Sequence, residues 1–398
     1  MVSTHSYALA AVGTQLHALH LAPARDRDRH RYRLDLTLPI QYAAAHPERP
    51  LLYAGCSNGG PGGRVGDTHC VALIRADTSG SLEVVQGEMP LPHRPIHVAV
   101  EPAGRYLAIA FAQPAGIQRY ALDHRGDIGR LLDTVSPPGV GVFPHSTHFS
   151  TQGSSVIVCA RGNDEREGFA EDPGTLDTFI VENGRLKPVA QTRYGPGLGP
   201  RDVAEHPTHP WLYVALERGN SVALHGMDKG IPSEHAANVW TTLRTAPARR
   251  QRVGTVRVHP SGRWLFVVNR ADAIQCVGGI RKLECGVNEI VVYEIEATGG
   301  NLVEVQRLDA GGIEPRTLSV SDNGRYLVVG NQISAHRTQA GALTDSPASL
   351  LVFEIQPDGM LEHAVPGSSV DLVRHHRDAR TVRDILMRDL QLRLQSSP

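Results

Sequence analysis

The sequence predicts an all-β fold, a seven-bladed β-propeller whose ring is closed by both termini. Forty Gly and 27 Pro residues are spread over the whole chain and alternate with short runs rich in Val, Ile, Leu and Tyr, a pattern typical of many short strands. A two-strand unit also recurs about every fifty residues, which indicates a propeller or a solenoid. Each unit leaves room for two more strands, and a blade of a propeller has four.

Copies of the unit can be read directly from the sequence. Each has an alternating run, a turn that often contains Pro or Gly, and a second apolar run that begins in most copies with an aromatic residue or Leu. The copies, which define blades one to six, span 42–58, 97–113, 146–162, 202–219, 255–271 and 317–333. The stretches that follow them, such as 288–308 and 349–365, have room for the outer strands.

The two ends of the chain remain for blade seven. Residues 6–24 match the middle of a unit, and residues 366–375 are expected to supply the innermost strand. Closing the ring in this way hides the edge strands that an open sheet exposes. We therefore predict one propeller over residues 1–375 and not several domains.

Residues 376–398 follow the predicted ring. Val382, Ile385, Leu386 and Leu390 recur there at helical spacing. This predicts a short C-terminal helical tail, packed on the ring or on a second copy of the chain. We accordingly expect a homo-oligomer formed through the tail.

Composition argues against several classes of partner. Lys and Arg total 40 against 41 Asp and Glu, and this formal net charge of −1 leaves no basic excess for binding nucleic acid. No uninterrupted apolar run reaches about 18 residues, so no membrane span is expected. The N-terminal residues lack the basic leader of a signal peptide, and a cytoplasmic location is expected.

The sequence supports no metal or cofactor site. The five cysteines are irregularly spaced and none forms a CxxC pair, which predicts free thiols. His145 and His148 fall on opposite faces of a strand, so shared ligation is not expected. The glycine-rich segment 59–67 does not open a helix, and it is therefore predicted to be a loop and not a phosphate cradle.

Aligning the units shows which side chains share a location. In a propeller the first strand of each blade lines the central channel and the second runs back antiparallel, so the start of one and the end of the other meet at one rim. The first position is occupied by Ile96, His145, Arg201 and Arg316. The second is occupied by Ser57, Ala112, Arg161, Glu217, Arg270 and Gln332.

Charge concentrates at this rim in blades three to six. His145, Arg201 and Arg316 each follow a proline, in Phe-Pro-His, Gly-Pro-Arg and Glu-Pro-Arg. Four arginines with Glu217 and His145 predict a cationic pocket, because guanidinium groups bind carboxylates or phosphates bidentately. A structural ion network would give the same pattern. The insertion 274–288, with Cys276 and Cys285, interrupts blade five near this rim and is a candidate lid.

Segments 144–164, 199–222, 256–272 and 314–332 resemble the seven-bladed propeller lactonase family, which includes propeller-type bacterial 6-phosphogluconolactonases and fungal carboxy-muconate lactonising enzymes. The resemblance covers about residues 6–373. It places the family's active-site residues on His145, Arg201, Glu217 and Arg270. The chain departs from the pattern at Asp202, where many relatives have His, and at Ala160 and Arg161 in a segment that is Asp-Leu-Gly-x-Asp in many relatives, which points to a changed substrate.

Resemblance and pocket together predict a hydrolase that opens a small anionic lactone, of the sugar-acid or muconolactone type. Glu217 or His145 would act as general base on water, with Arg270 and Arg201 holding the substrate and its oxyanion. Arg161, Arg316 and Gln332 are predicted to bind the substrate. Two alternatives stay open: cycloisomerisation of a muconate-type dicarboxylate by the same residues, and a propeller that binds small anions or proteins without catalysis.

Overall fold

The computed structural model describes residues 5–21, 31–60, 64–77, 80–339, 341–364, 370–371 and 382–390. Within these ranges every regular element is a β-strand, numbered β1 to β34 in chain order. No helix in the described ranges has the length and apolar character that crossing a membrane requires. The chain begins with β1 (His5–Val12), β2 (Gln15–His20) and β3 (Arg31–Asp35), which pair in that order.

Blades one to three are four-stranded antiparallel sheets in which consecutive strands pair from the channel outwards. Blade one contains β4 (Ile40–Ala45), β5 (Leu51–Ser57), β6 (His69–Ala76) and β7 (Leu82–Pro90). Blade two contains β8 (Pro95–Val100), β9 (Tyr106–Ala112), β10 (Ala115–Leu122) and β11 (Ile128–Val135). Blade three contains β12 (Pro144–Phe149), β13 (Ser155–Ala160), β14 (Gly174–Glu182) and β15 (Arg185–Tyr194).

Blades four and five depart from this plan. Blade four contains β16 (Pro200–Glu205), β17 (Trp211–Leu216) and β18 (Ser221–Asp228), and β18 pairs with both β19 (Ile231–Pro232) and β20 (Asn238–Thr241). Blade five begins with β21 (Gln251–Val258) and β22 (Trp264–Ala271). A hairpin of β23 (Ile274–Val277) and β24 (Ile280–Leu283) then precedes its outer strands, β25 (Glu289–Ile295) and β26 (Leu302–Asp309).

Blade six has an insertion at the equivalent place. It begins with β27 (Ile313–Val320) and β28 (Tyr326–Ile333), followed by the hairpin β29 (Ala335–Gln339) and β30 (Ala342–Ser346). Its next strand is β31 (Ser349–Ile355), which pairs with both β32 (Leu361–His363) and β33 (Val370–Asp371). The two inserted hairpins meet in an eighth sheet, of order β23-β24-β29-β30, through a parallel contact between Lys282 and His336.

Blade seven is built from both ends of the chain. Strand β34 (Val382–Leu390) pairs antiparallel with β1, with Leu386 opposite Leu9, in a sheet of order β3-β2-β1-β34. The innermost strands β4, β8, β12, β16, β21, β27 and β34 each contact the next, and β34 contacts β4. Seven four- or five-stranded sheets therefore form a closed ring.

Two predictions about the C-terminal part are wrong. The helix predicted over residues 376–398 is not found in the part described there, because Val382–Leu390 is a strand. The innermost strand of blade seven was predicted from 366–375, but its described residues, Val370–Asp371, pair with β31 in blade six. The free edge of β1 offers a full ladder of backbone hydrogen bonds, and this long-range pairing outweighs the helical spacing of the apolar side chains.

The core is divided among the blade interfaces. Seven apolar clusters of buried side chains are formed by the described residues, one between each pair of neighbouring blades. Strand β1 contributes to two of them: Leu9 packs with Ile40 of blade one, and Ala8 packs with Val328 of blade six. Because alternate residues of a strand face opposite sides of the sheet, each blade is apolar on both faces.

Turns between the first and second strands also join neighbouring blades. In blade four, Nδ1 of His206 accepts hydrogen bonds from backbone N–H groups of its own turn, and Nε2 donates to the carbonyl of Gly262 in blade five over 2.9 Å. Gly262 has φ +76°, and a Cβ there would lie 2.6 Å from the His206 ring, so only glycine fits. His259 contacts Gly324 of blade six in the same way, also over 2.9 Å.

Candidate active site

A β-bulge lies near the start of the first strand in each of blades one to six. The pairing register shifts between Ile40 and Tyr42, Pro95 and His97, Pro144 and Ser146, Pro200 and Asp202, Val253 and Val256, and Pro315 and Thr317. The residues left over include Gln41, Ile96, His145, Arg201 and Arg316. A bulge re-aims the side chain of the extra residue, and the proline that precedes four of them has no N–H for the ladder.

Left-handed backbone precedes three of these prolines. Phe143, Gly199 and Glu314 have φ values of 58°, 61° and 55°. This conformation is unfavourable for a bulky side chain, and such strain is typically retained at functional sites. Two of these residues with left-handed backbone, Phe143 and Glu314, have side chains on the wall of the cavity that the bulged residues surround.

This main cavity has a volume of about 350 Å³ and lies at the rim where first strands begin and second strands end. Its wall is strongly cationic, with eight arginines and three carboxylates. The arginines are Arg64, Arg94, Arg161, Arg201, Arg250, Arg252, Arg270 and Arg316; the carboxylates are Glu217, Asp272 and Glu314. The excess of guanidinium groups makes the cavity suited to an anionic ligand.

Glu217 is the centre of the charged network. Its buried carboxylate lies 3.3 Å from Nη1 of Arg161, 3.1 Å from Nη1 of Arg201 and 3.5 Å from Nη1 of Arg252. Arg270 donates a further hydrogen bond to it through Nη2. Burial opposes ionisation, but the positive charges of Arg201 and Arg270 outweigh it and hold the pKa of Glu217 well below 4.5. Glu217 is therefore ionised and weakly basic.

Glu314 provides a second carboxylate on the same wall. Its Oε1 accepts a hydrogen bond from Nη1 of Arg270 over 2.7 Å and lies 3.6 Å from Nη1 of Arg316. Arg270, which is 3% exposed, is thereby held between Glu217 and Glu314. Arg316 is 29% exposed and has the longer contact, so it is the more available of these two cations for a ligand.

His145 contacts Arg201 directly. Nη1 of Arg201 donates to Nε2 of His145 over 2.8 Å, while Nδ1 of His145 is buried without a hydrogen-bond partner among the described residues. Burial, followed by the charge of Arg201, lowers the pKa of His145 well below 6.5. The imidazole is thus neutral with its proton on Nδ1, and this buried N–H has no partner among the described residues.

The loop after β13 holds two of the arginines in place. Asp164 in this loop accepts from Nη1 of Arg161 over 3.0 Å and from Nη2 of Arg252 over 2.7 Å. Arg218, next to Glu217, donates to the backbone carbonyls of Arg161 and Gly162 and so fixes the loop to blade four. Arg161 in addition lies over the ring of Phe143, 4.5 Å from its centroid.

A smaller cavity of about 60 Å³, here called the floor cavity, adjoins the main one. The two share five lining residues: Arg94, Ile96, His145, Arg201 and Arg316. The residues after the bulge positions line it: Tyr42, His97, Ser146, Asp202, Thr255 and Thr317. Tyr42, His97 and Asp202 are shared in turn with a third cavity of about 430 Å³. The three cavities therefore follow one another along the central channel.

The predicted site residues are largely brought together. His145, Arg161, Arg201, Glu217, Arg270 and Arg316 all line the main cavity, whereas Gln332 lines the floor cavity. The sequence did not single out Arg252, Glu314, Arg94 and Arg64. Arg64 belongs to the glycine-rich loop 59–67, and Glu314 could have been recognised from its position directly before a Pro-Arg pair, matching Phe143 before Pro-His.

The insertion 274–288 of blade five begins beside the main cavity. Asp272, directly before β23, lines the main cavity, but the described residues of the hairpin β23–β24 are not among those that line it.

Within the described ranges, no group of three or more His, Cys, Asp and Glu side chains is placed to hold a metal ion.

Comparison with known proteins gives consistent matches. A family model described as lactonase, 7-bladed beta-propeller, matches residues 36–341. The 6-phosphogluconolactonase of Bacillus subtilis (strain 168) is 22% identical over 325 residues, covering 78% of this chain and 84% of the relative. That of Erwinia tasmaniensis is 23% identical over 301 residues, covering 75% and 78%. The solved periplasmic gluconolactonase of Pseudomonas aeruginosa, 20% identical, superposes with a TM-score of 0.71 over 97% of this chain and 99% of its own.

Proposed function

The chain belongs to the seven-bladed β-propeller lactonase family, and from that premise we propose that it hydrolyses a small anionic lactone in the main cavity. The observation that carries the proposal is the charge of the wall, eight arginines against three carboxylates, around a neutral histidine whose N–H has no described partner. Such a wall binds an anionic substrate and stabilises the oxyanion that forms when water attacks an acyl carbon.

His145 acts in this proposal as a hydrogen-bond donor. Its Nε2 lone pair is used by Arg201, so it has no free lone pair with which to take a proton from water. The Nδ1–H group instead donates to the developing oxyanion. Arg201 lies beside it, and burial lowers the pKa of Arg201 only to about 9, so the guanidinium stays charged at neutral pH. The two groups together form the oxyanion site.

Glu217 and Arg270 position the cations. Glu217 is surrounded by four guanidinium groups that lower its basicity, which argues against the role of general base. Arg270 is paired with two carboxylates, so it acts on the substrate mainly through its positive charge and less through a direct contact. Arg161 and Arg316 are then the cations that take the anionic group of the substrate, and Gln332 lies deeper, at the floor cavity.

The substrate we propose is a sugar-acid lactone with a second anionic group. Relatives that match most of this chain are named 6-phosphogluconolactonase, which supports a sugar-acid lactone. The surplus of arginines over carboxylates supports a substrate with a phosphate or carboxylate in addition to the acyl group.

The test is a proton-release assay with phenol red on the purified chain, corrected for spontaneous hydrolysis. The substrates are the matched pair glucono-1,5-lactone and its 6-phosphate, together with a muconolactone. We expect turnover of an anionic lactone, preferred over the neutral one, and its loss in Arg270→Ala but not in Arg325→Ala, an exposed arginine of blade six. Absence of turnover above background for every lactone would overturn the proposal, and absorbance assays with muconate-type dicarboxylates would then test cycloisomerisation.

A further inference from the structure

The floor cavity is a built polar site at the bottom of the main cavity. The bulge in each first strand turns two successive residues towards the channel, so Arg201 and Asp202 both reach it from blade four. Asp202 is 8% exposed and is the only carboxylate among the described residues that line the floor cavity. The side chains around it include the hydroxyl groups of Ser146, Thr255 and Thr317.

This cavity has the size and lining that ordered water requires. A volume of about 60 Å³ holds a few water molecules, and a buried water needs two to four polar partners, which the hydroxyl groups and Asp202 supply. The third cavity, which shares Asp202 with the floor cavity, continues the channel away from the main cavity. Water in the floor cavity would lie directly below a substrate held against Arg201 and His145.

We propose that the hydrolytic water occupies the floor cavity and that Asp202 is the general base that activates it. This inference rests on the proposed lactonase function. The described hydrogen bonds of Asp202 all fall on Oδ2, which accepts from Nη1 of Arg257 over 2.7 Å and from the backbone N–H of Val256 over 3.3 Å. They fix the carboxylate while Oδ1 serves the water.

The step is balanced by the groups present. Asp202 takes one proton from water as the water oxygen bonds to the acyl carbon, and the carbonyl electrons move onto the oxygen held by Arg201 and His145. The tetrahedral intermediate collapses and the bond to the ring oxygen breaks. The leaving alkoxide receives the proton from Asp202, relayed by a second water. The new carboxyl group ionises, which releases one proton to the solvent.

The three carboxylates of the main cavity are not among the described residues that line the floor cavity. Glu217 and Glu314 are held by arginines, and Asp272 pairs with Arg250 at the outer edge of the main cavity. His97, which lines the floor cavity, uses Nδ1 to accept from the backbone N–H of Thr147 over 3.3 Å. Asp202 is thus the carboxylate that lines the floor cavity among the described residues. Its Oδ1 lies outside the described hydrogen bonds, which are all on Oδ2.

The experiment measures kcat and KM of Asp202→Asn and Asp202→Ala on the best substrate of the lactone panel. We expect kcat to fall about 100-fold or more in both, with KM changed less than about threefold. Formate, which fits the space vacated in Asp202→Ala, should restore part of kcat. Asp228→Asn is the matched control, because it makes the same substitution at the exposed end of β18; its kcat should stay within about threefold.

Several results would overturn the inference. Unchanged kcat in Asp202→Asn would exclude Asp202 as the base. A loss of kcat in Asp228→Asn as large as that in Asp202→Asn would also overturn the inference, since the effect would not be specific to Asp202. Failure of formate to restore kcat in a folded Asp202→Ala variant would likewise exclude Asp202 as the base. In each of these cases the wild-type chain still opens lactones and the proposed function stands. A wild-type chain without lactonase activity overturns both proposals.

Discussion

Arg201 donates a hydrogen bond from Nη1 to Nε2 of His145 over 2.8 Å, across the boundary between blades four and three. A guanidinium group can only donate, so this contact requires an unprotonated Nε2. Protonating His145 would break the bond and place two cations against each other in a buried site. The neutral imidazole is therefore part of the architecture of the cavity.

Buried histidines of the channel predict that acid destabilises the fold. Burial lowers the pKa of His97 to about 3, and that of His145 well below 6.5. Below the pH 6.5 at which these side chains titrate when unfolded, the unfolded state takes up protons that the folded state does not. Each such histidine therefore costs about 1.4 kcal/mol of unfolding free energy per pH unit below 6.5, until its folded pKa is reached.

Urea unfolding at pH 7, 6 and 5 measures this slope. In His97→Gln the slope of the unfolding free energy against pH should decrease by the contribution of one histidine, about 1.4 kcal/mol per pH unit. His124→Gln should leave the slope unchanged, because His124 lies on an exposed turn. Equal slopes in wild type and His97→Gln would contradict the prediction.

Replacing Glu217 should destabilise the chain strongly. Glu217→Gln leaves four arginines around a neutral group, and breaking a buried ion pair in this way costs about 3–5 kcal/mol. Glu354→Gln removes a carboxylate from an exposed pair with Arg325 and should cost less than about 1 kcal/mol. Urea unfolding at pH 7 gives both values, and similar losses in the two variants would exclude the central role of Glu217.

Arg316 should affect binding more than stability. Its side chain is partly exposed in the main cavity, and its described carboxylate contact, to Glu314, is 3.6 Å long. Arg316→Ala should raise the KM for an anionic lactone about tenfold or more, because a hydrogen bond to a charged group is lost. The KM for glucono-1,5-lactone and the unfolding free energy should change little. A KM that rises equally for charged and neutral lactones would argue against a contact with the anionic group.

Strand β34 should be required for a stable ring. A chain that ends at residue 381 lacks the whole of Val382–Leu390 and leaves the inner edge of β1 without its described partner. We expect a lower thermal midpoint and association through the exposed edge, measured by scanning calorimetry and light scattering. A chain that ends at residue 390 keeps β34 and serves as the control. Equal midpoints in the two chains would show that β34 adds no stability.

The sequence predicted the blades well because their turns repeat. His206 and His259 precede equivalent turns, and each contacts a glycine of the next blade. The repeated turn in the sequence therefore reflects a contact that recurs at successive blade interfaces. The last strand could not be read in this way. Its apolar residues have helical spacing, and only pairing with β1, at the other end of the chain, makes Val382–Leu390 a strand.

Residues that line the main cavity could be predicted from the sequence where they occupy equivalent positions of the repeat. His145, Arg201 and Arg316 were found because the bulge after a proline recurs in blades three, four and six. Arg252 was missed because the register shift in blade five, between Val253 and Val256, does not follow a proline. Asp202 was noted only as a departure from relatives, since a strand pattern without a bulge would turn it away from the channel.

Closure through both termini also sets an order of folding. Each of blades one to five uses strands that are close in the chain, so these blades can form as local antiparallel sheets. Blade seven must join β1 to β34 across about 370 residues, a loop whose closure entropy is recovered only when the other blades already hold the ends together. Until then the clusters of Leu9 with blade one and Ala8 with blade six are incomplete. We therefore expect sealing of the ring to be the last and slowest step of folding, and the one at which the chain is most exposed to aggregation.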